Sequence, residues 1–255
     1  GIKSFLSLQA AVKALKNNKI NLLVTAPINK NNIQSEKFKF PGHTDYLAEE
    51  LDGESLMFMI CDELKIGLLT DHVALKEINT HVTKKRIEQK FSLINESLKK
   101  DFGIQKPKIA VLSIDPHAGD GGVIGKDDQD ILKPVLLEIA SKNNLVFGPF
   151  SSDSFFGSGQ HKKYDAVLAI YHDQGLIPFK TLSFGTGVNY TAGLNKVRTS
   201  PDHGTGYDIA GKGLADSTSF KNAIFSAIEI LKSRKLFEDL NKNPLNLSNS
   251  KTGKK

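Results

Sequence analysis

Three histidines hold the chemistry that can be read most directly from this chain. His72 follows the apolar run Ile66-Gly67-Leu68-Leu69 by way of Thr70-Asp71. His117 follows the run 109–114 by way of Asp115-Pro116, and His172 directly follows the run 166–171. Each run reads as a buried strand, so three of the seven histidines fall just past a strand's carboxyl end. In open α/β sheets, ligands bind in the crevice beyond those ends. Neutral imidazole is a common ligand for zinc and other divalent metals, and three protein ligands leave room for a substrate oxygen. Taken singly, each histidine is more often a hydrogen-bonded loop residue than a ligand; the shared placement is what makes the three a candidate metal set.

The other histidines divide by context. His81, at an expected helix start, and His161, beside Lys162-Lys163, read as solvated surface residues, while His43 and His203 lie in glycine-rich turns and stay open on pattern alone. Asp71, Asp115, Asp120 and Asp173 surround the candidate ligands. Aspartate forms turns and caps everywhere. Here it is equally suited to orienting imidazoles or to moving a proton, and Asp153 and Asp173 are the candidates for that work. Lys180, Asn189 and Arg198 offer cationic and amide donors that suit a phosphorylated anion.

Two glycine-rich segments invite a nucleotide-binding reading. Residues 115–125 follow a strand and precede a helix, but Gly-x-Gly-x-x-Gly starting at Gly119 requires glycine where Ile124 stands. A phosphate-binding loop ending at Gly125-Lys126 fails too, because Asp120 occupies the first glycine position and Asp127 replaces the Ser/Thr that binds magnesium. Residues 200–213 form the second segment, which composition alone reads as a loop.

Short apolar runs alternating with amphipathic stretches must position these residues, the pattern of a layered α/β fold. Helices are expected at 4–17, 44–51, 80–100, 129–143 and 220–234. In the third, Val82, Ile87, Phe91, Ile94 and Leu98 recur at helical spacing. Strands are expected at 20–25, 56–61, 65–70, 109–114, 166–171 and 188–191, in a mainly parallel sheet.

Composition narrows the rest. With 39% hydrophobic and 24% charged residues the chain is ordinary for a globular protein. No run approaches the roughly 18 apolar residues of a membrane span. The single Cys61 excludes an intrachain disulfide, suits a reducing, cytoplasmic setting, and sits among apolar neighbours as a structural thiol. Of the net charge of +6, four lysines belong to residues 241–255, which read as a disordered basic tail. No basic stripe interleaved with aromatics is present, so nucleic acid is not an expected partner.

Four segments in matching order carry a resemblance: Pro41-Gly42-His43-Thr44-Asp45, Asp115-Pro116-His117-Ala118-Gly119, Tyr171-His172-Asp173-Gln174-Gly175 and Arg198-Thr199-Ser200-Pro201-Asp202-His203-Gly204-Thr205. They closely resemble the 4-hydroxythreonine-4-phosphate dehydrogenase family of the deoxyxylulose-phosphate-dependent route to pyridoxal phosphate. The resemblance implies the isocitrate/isopropylmalate dehydrogenase-like fold, two α/β/α domains flanking a cleft. One unit would be 1–36 with 200–240 and the other 37–199. It implies NAD bound without the usual glycine fingerprint, and one divalent metal ion (zinc, or magnesium or cobalt) on His72, His117 and His172. It also implies substrate contacts from His43, Thr44, Lys180, Asn189 and Arg198. His203, Gly204 and Asp208 would lie in the adenosine-side loop. The site would be shared across a homodimer.

The implied reaction is oxidation and decarboxylation of 4-phosphooxy-L-threonine. Dehydrogenation of D-threonate or D-erythronate 4-phosphate is the near alternative, and an inactive truncated paralogue the distant one. Two departures stand out. Asp115 replaces an asparagine common among relatives. The family's Gly-Asp-Pro-x-Gly-Ile-Gly-Pro-Glu opening and first strand do not occur, so the chain is expected to be N-terminally truncated.

Overall fold

The alternating runs resolve into one eight-stranded sheet clothed by helices, in a computed structural model that describes residues 1–51 and 53–243. The elements begin with α1 (Ile2–Lys16), β1 (Leu22–Val24), α2 (Lys30–Ile33), α3 (His43–Glu50), β2 (Leu56–Ile60) and β3 (Lys65–Leu68). Then come α4 (Ile78–His81), α5 (Lys84–Lys100), β4 (Lys108–Leu112), α6 (Lys133–Ser141), β5 (Leu145–Phe150) and α7 (Ser152–Gly157). Last are β6 (Ala166–Ala169), α8 (His172–Ser183), β7 (Val188–Ala192), β8 (Val197–Pro201) and α9 (Thr218–Asn241). Residues 244–255, most of the expected tail, lie outside the described residues; the start of that segment is instead the end of α9.

The strand order is β1-β8-β7-β2-β3-β6-β4-β5. The outer pairs β1–β8, β3–β6, β4–β6 and β4–β5 are parallel, but β8–β7, β7–β2 and β2–β3 are antiparallel. The expectation of a mainly parallel sheet is therefore corrected at its centre. The reason lies in the connections. The turn at 61–64, closed by Cys61 N–H donating to Leu64 O at 2.9 Å, is far too short for a parallel crossover.

Side-chain alternation along the strands sorts the core. Phe58, Ile60, Val188, Tyr190 and Val197 face one side, where they pack with Ile87, Phe91 and Ile94 of α5 and Ala223, Ala227 and Ile230 of α9. On the other side, Ile66, Leu68, Val167 and Ala169 meet Phe155 of α7 and Leu176 and Phe179 of α8. A third cluster joins Phe5, Leu8, Val12 and Leu15, one stripe of α1, to Tyr46 and Leu47 of α3.

A buried polar cluster ties α5, β7 and α9 together. Arg234 Nε donates to Asp101 Oδ1 at 2.6 Å, and Arg234 Nη2 donates to Tyr190 Oη at 2.8 Å. The Tyr190 hydroxyl donates to Asp101 Oδ2, and burial, reinforced by Asp101, raises its pKa.

Several elements differ from expectation. The long helix expected over 80–100 is two: α4 stops at His81, and Thr83 caps α5 by accepting from Arg86 N at 3.3 Å. The helix expected over 129–143 begins as a π-helical turn, Asp128–Leu132. β5, α7, α8 and β8 were not expected. His161, expected on the surface, is 4% exposed and packs its ring 5.6 Å from that of Phe156.

Candidate active site

The strand-end histidines sit where sheet pairing directs them. Thr70 Oγ1 donates to Ile170 O at 2.7 Å, locking the ends of β3 and β6 together. Gln174, in the first turn of α8, binds three further segments. Its Nε2 donates to Ser113 O at 2.7 Å and to Ser152 Oγ at 2.8 Å, and its Oε1 accepts from Ile170 N at 2.6 Å. The loops after β4 and β6 and the start of α7 are thereby fixed to one another. His72 and His172 face each other with ring centroids 5.8 Å apart. His172 Nδ1 lies 2.7 Å from Asp173 Oδ1, which holds the ring and leaves Nε2 free to act as a ligand. The pKa of His72 lies below its ordinary value, through desolvation first and the charge of Lys30 second, so the ring is held in its neutral, metal-binding form.

His117 takes a different course. It begins a run of left-handed backbone, with φ of 53° at His117, 52° at Ala118, 76° at Gly119, 44° at Asp120 and 68° at Gly121. A Cβ at Gly119 would lie 2.3 Å from Gly125 O, so this glycine lets the loop fold back on itself. The His117 N–H donates to Ser151 Oγ at 3.2 Å. Ser151 Oγ in turn donates to Asp153 Oδ1 at 2.8 Å, the main reason that the Asp153 carboxyl sits below the usual range. Among the described residues, no three His, Cys, Asp or Glu side chains gather closely enough to hold a metal ion. The structure thus pairs His72 with His172 and sets His117 beside Asp153 instead.

Of the expected substrate residues, all but Lys180 converge. His43, Thr44, His72, Asn189, Arg198 and His203 line one cavity of about 230 Å³. Strand register brings two of them there, since Asn189 of β7 pairs with Ser200 of β8, placing Arg198 on the same face as Asn189. Arg198 is 3% exposed, and its guanidinium donates only to hydroxyls: Nε and Nη2 to Thr25 Oγ1 at 3.2 and 2.7 Å, and Nη1 to Thr191 Oγ1 at 3.1 Å. Burial lowers its pKa to about 10. No carboxylate forms a salt bridge with it among the described residues. Asn189 Oδ1 is buried without a hydrogen-bond partner among the described residues. Burial, then Arg198 and Lys30, lowers the His43 pKa to about 3, so this imidazole is neutral at any working pH.

A second concavity of about 850 Å³ adjoins the first at His203 and Gly204, and is lined also by Lys180, Asp202 and Asp208. Lys180 Nζ lies 3.7 Å from Asp202 Oδ1, while burial raises the Asp202 pKa. Asp153 and Asp173 line a third, mostly apolar groove between α7 and α8. Sequence reasoning missed Gln174, which stands inside a quoted motif, and Thr25 and Thr191, which aim Arg198. It also missed Lys30, whose charge adds to burial in lowering the pKa values of His43 and His72. A neutral hydroxyl that holds a buried cation leaves no signal in sequence.

Known proteins are similar to this chain in sequence and fold. The family model described as pyridoxal phosphate biosynthetic protein PdxA matches residues 1–227. The 4-hydroxythreonine-4-phosphate dehydrogenase of Bacteroides thetaiotaomicron is 48% identical over 241 residues, covering 94% of this chain and 66% of the relative. That of Sulfurihydrogenibium sp. is 44% identical over 236 residues, covering 92% and 73%. Among solved structures, the 4-hydroxythreonine-4-phosphate dehydrogenase of Klebsiella pneumoniae superposes with a TM-score of 0.77 at 34% identity, covering 89% of this chain and 70% of that one. The chain thus spans about two thirds of the length of these relatives. With the isocitrate/isopropylmalate dehydrogenase-like α/β fold and a match over most of its length, the chain belongs to the PdxA family of pyridoxal phosphate biosynthetic proteins.

Proposed function

We propose that this protein carries out the NAD-dependent, divalent-metal-dependent oxidation and decarboxylation of 4-phosphooxy-L-threonine to 3-amino-2-oxopropyl phosphate. The observation that carries the reading is the buried Arg198, a cation whose partners in the fold are hydroxyls, on the wall of a cavity with a neutral imidazole and a vacant amide oxygen. A buried charge is stable only when paired, and an anionic substrate supplies the pair. Arg198 and Lys180 would share the phosphate and carboxylate. His43 and Thr44, at the amino end of α3, add neutral donors where the helix dipole favours an anion. Asn189 Oδ1 suits the substrate's amino or hydroxyl hydrogen.

The three imidazoles of His72, His117 and His172 would hold a divalent ion; they suit zinc or cobalt better than magnesium, which prefers oxygen ligands. When bound, the ion supplies Lewis acidity at the substrate hydroxyl and carbonyl, and NAD supplies the hydride acceptor. Asp173 lies against the His172 ring and would hold it, and Asp153, whose carboxylate accepts from Ser151, would take a proton. His203, Gly204 and Asp208 would bind NAD in the larger concavity. The reading includes a homodimer whose two copies complete each site, because His117 stands apart from the His72–His172 pair within one chain. It also includes the division into units 1–36 with 200–240 and 37–199, and a cytoplasmic setting. No helix among the described residues is long and apolar enough to cross a membrane.

The test is NADH formation from 4-phosphooxy-L-threonine, with D-threonate 4-phosphate and D-erythronate 4-phosphate in parallel. Turnover of the first, lost to a chelator and restored by zinc, is expected; preference for a sugar-acid phosphate overturns the substrate. Mixing inactive His72→Ala and His117→Ala chains tests the sharing. Random pairing of subunits that pool their ligands regenerates about a quarter of the activity, whereas no recovery places all three ligands within one copy.

A further inference from the structure

The amino end of α5 is built against its own electrostatics. Lys84, Lys85 and Arg86 fill its first turn, which contains no acid, although the positive end of a helix dipole favours carboxylates there. Lys84 is drawn off to Glu138. The other two remain, and one turn on Lys90 adds a third cation. Lys85, Arg86 and Lys90, with Thr83, Gln89 and His81, line a cavity of about 400 Å³ whose wall contains no carboxylate. It shares no lining residue with the Arg198 cavity.

The existing contacts of these cations are neutral. Arg86 Nε donates to Leu69 O at 2.9 Å, and Lys90 Nζ donates to Ser55 O at 2.7 Å. Arg86 Nη1 lies 3.2 Å from His81 Nδ1. Because a guanidinium can only donate, that nitrogen accepts, and a neutral His81 has its proton on Nε2, as a further donor. Asp71, Glu54 and Asp45 act on Lys90 from outside the cavity wall, and their pull is outweighed by burial and the like charge of Arg86. Clustered cations at a helix amino end, with hydroxyls and an imidazole N–H at hand, form a receptor for a small oxyanion.

We propose that this cavity is a second anion site, separate from the active site, which takes a small multiply charged oxyanion such as inorganic phosphate or a short phosphate ester. Arg86 fastens it to Leu69, three residues ahead of His72, so an occupant sits directly behind the active-site loop. The test is calorimetric titration of inorganic phosphate into the full chain. Arg198→Met removes the active-site cation and leaves one phosphate bound. Adding Lys85→Gln and Lys90→Gln to it weakens that binding by about tenfold or more. In the otherwise unaltered protein, Lys85→Glu lowers the stoichiometry from two phosphates to one, and this exposed position makes no contact on which folding depends. Arg198→Met protein that binds no phosphate, or binds it equally well without Lys85 and Lys90, overturns the proposal, as does unchanged stoichiometry in Lys85→Glu.

Discussion

Replacing Arg198 by Met should make this protein more stable and a far poorer catalyst. The guanidinium is 3% exposed and burial lowers its pKa by between two and three units, to about 10. At about 1.4 kcal/mol per unit, that displacement corresponds to roughly 3 kcal/mol by which the native state disfavours the charge. Against this stand its hydrogen bonds to Thr25 and Thr191, together worth about 1–2 kcal/mol net. Methionine matches the length and apolar stem of arginine, so a gain of about 1–2 kcal/mol remains. The assay is equilibrium urea unfolding at pH 7 in phosphate-free buffer, where the midpoint should rise with an unchanged slope. In parallel, kcat/KM for the phosphorylated substrate should fall by about 3 kcal/mol, roughly 150-fold, since the substrate's anion loses its buried partner. A variant destabilised by more than about 1 kcal/mol would mean that the fold already compensates this charge, and the anion-site argument fails with it.

Three further outcomes follow from the same geometry. Arg234→Met strands the buried carboxylate of Asp101 and should cost about 3–5 kcal/mol in urea unfolding; a loss under 1 kcal/mol would show that Tyr190 and Ser97 suffice to hold it. Ala118→Gly relieves a left-handed backbone of φ 52° and should stabilise by about 0.5–1 kcal/mol after the extra entropy of glycine in the unfolded chain; a lower thermal midpoint contradicts the strain. Because the folded pKa of His43 is depressed to about 3, the unfolded chain takes up its proton first as pH falls below 6.5. Stability should therefore drop with falling pH between 6.5 and 3, by up to about 1.4 kcal/mol per unit from this residue. His43→Gln should flatten the slope in that window, and an identical pH profile would place the ring in solvent.

What could be read in the sequence depended on how many faces of an element are buried. β3, β4 and β6 lie between helical layers and show as unbroken apolar runs. β8 could not be read this way. All five of its residues are buried, yet Arg198, Thr199, Ser200 and Pro201 occupy it, because one of its faces lines the Arg198 cavity and the other sits under α9. α8 was hidden by Gly175 and Pro178, residues that usually end helices. Gly175 is there for close packing, since a Cβ would lie 2.7 Å from Leu68 Cδ2. His161 misled in the opposite sense, its two neighbouring lysines suggesting solvent where the chain turns the ring inward against Phe156. Of the candidate site residues, His43 and Arg198 were recognised within motifs, while Asn189 was read only as an amide donor between them; none is marked by local periodicity.

The histidines show where strand-end reasoning stops. It identifies which edge of a sheet a residue reaches, and all three reach the same edge. It does not identify the distance across the strands. His72, His172 and His117 follow β3, β6 and β4, consecutive strands of the sheet, so neighbours start about 5 Å apart and the outer two about 10 Å. His72 and His172 need no help to meet. His117 must be brought in by its loop, and the loop's left-handed run takes it toward Ser151 and α7 instead. That direction is a property of backbone signs at Ala118 and Asp120, where the residue type alone gives little warning. Within one copy His72 and His172 meet, while His117 is directed away from them, toward Ser151.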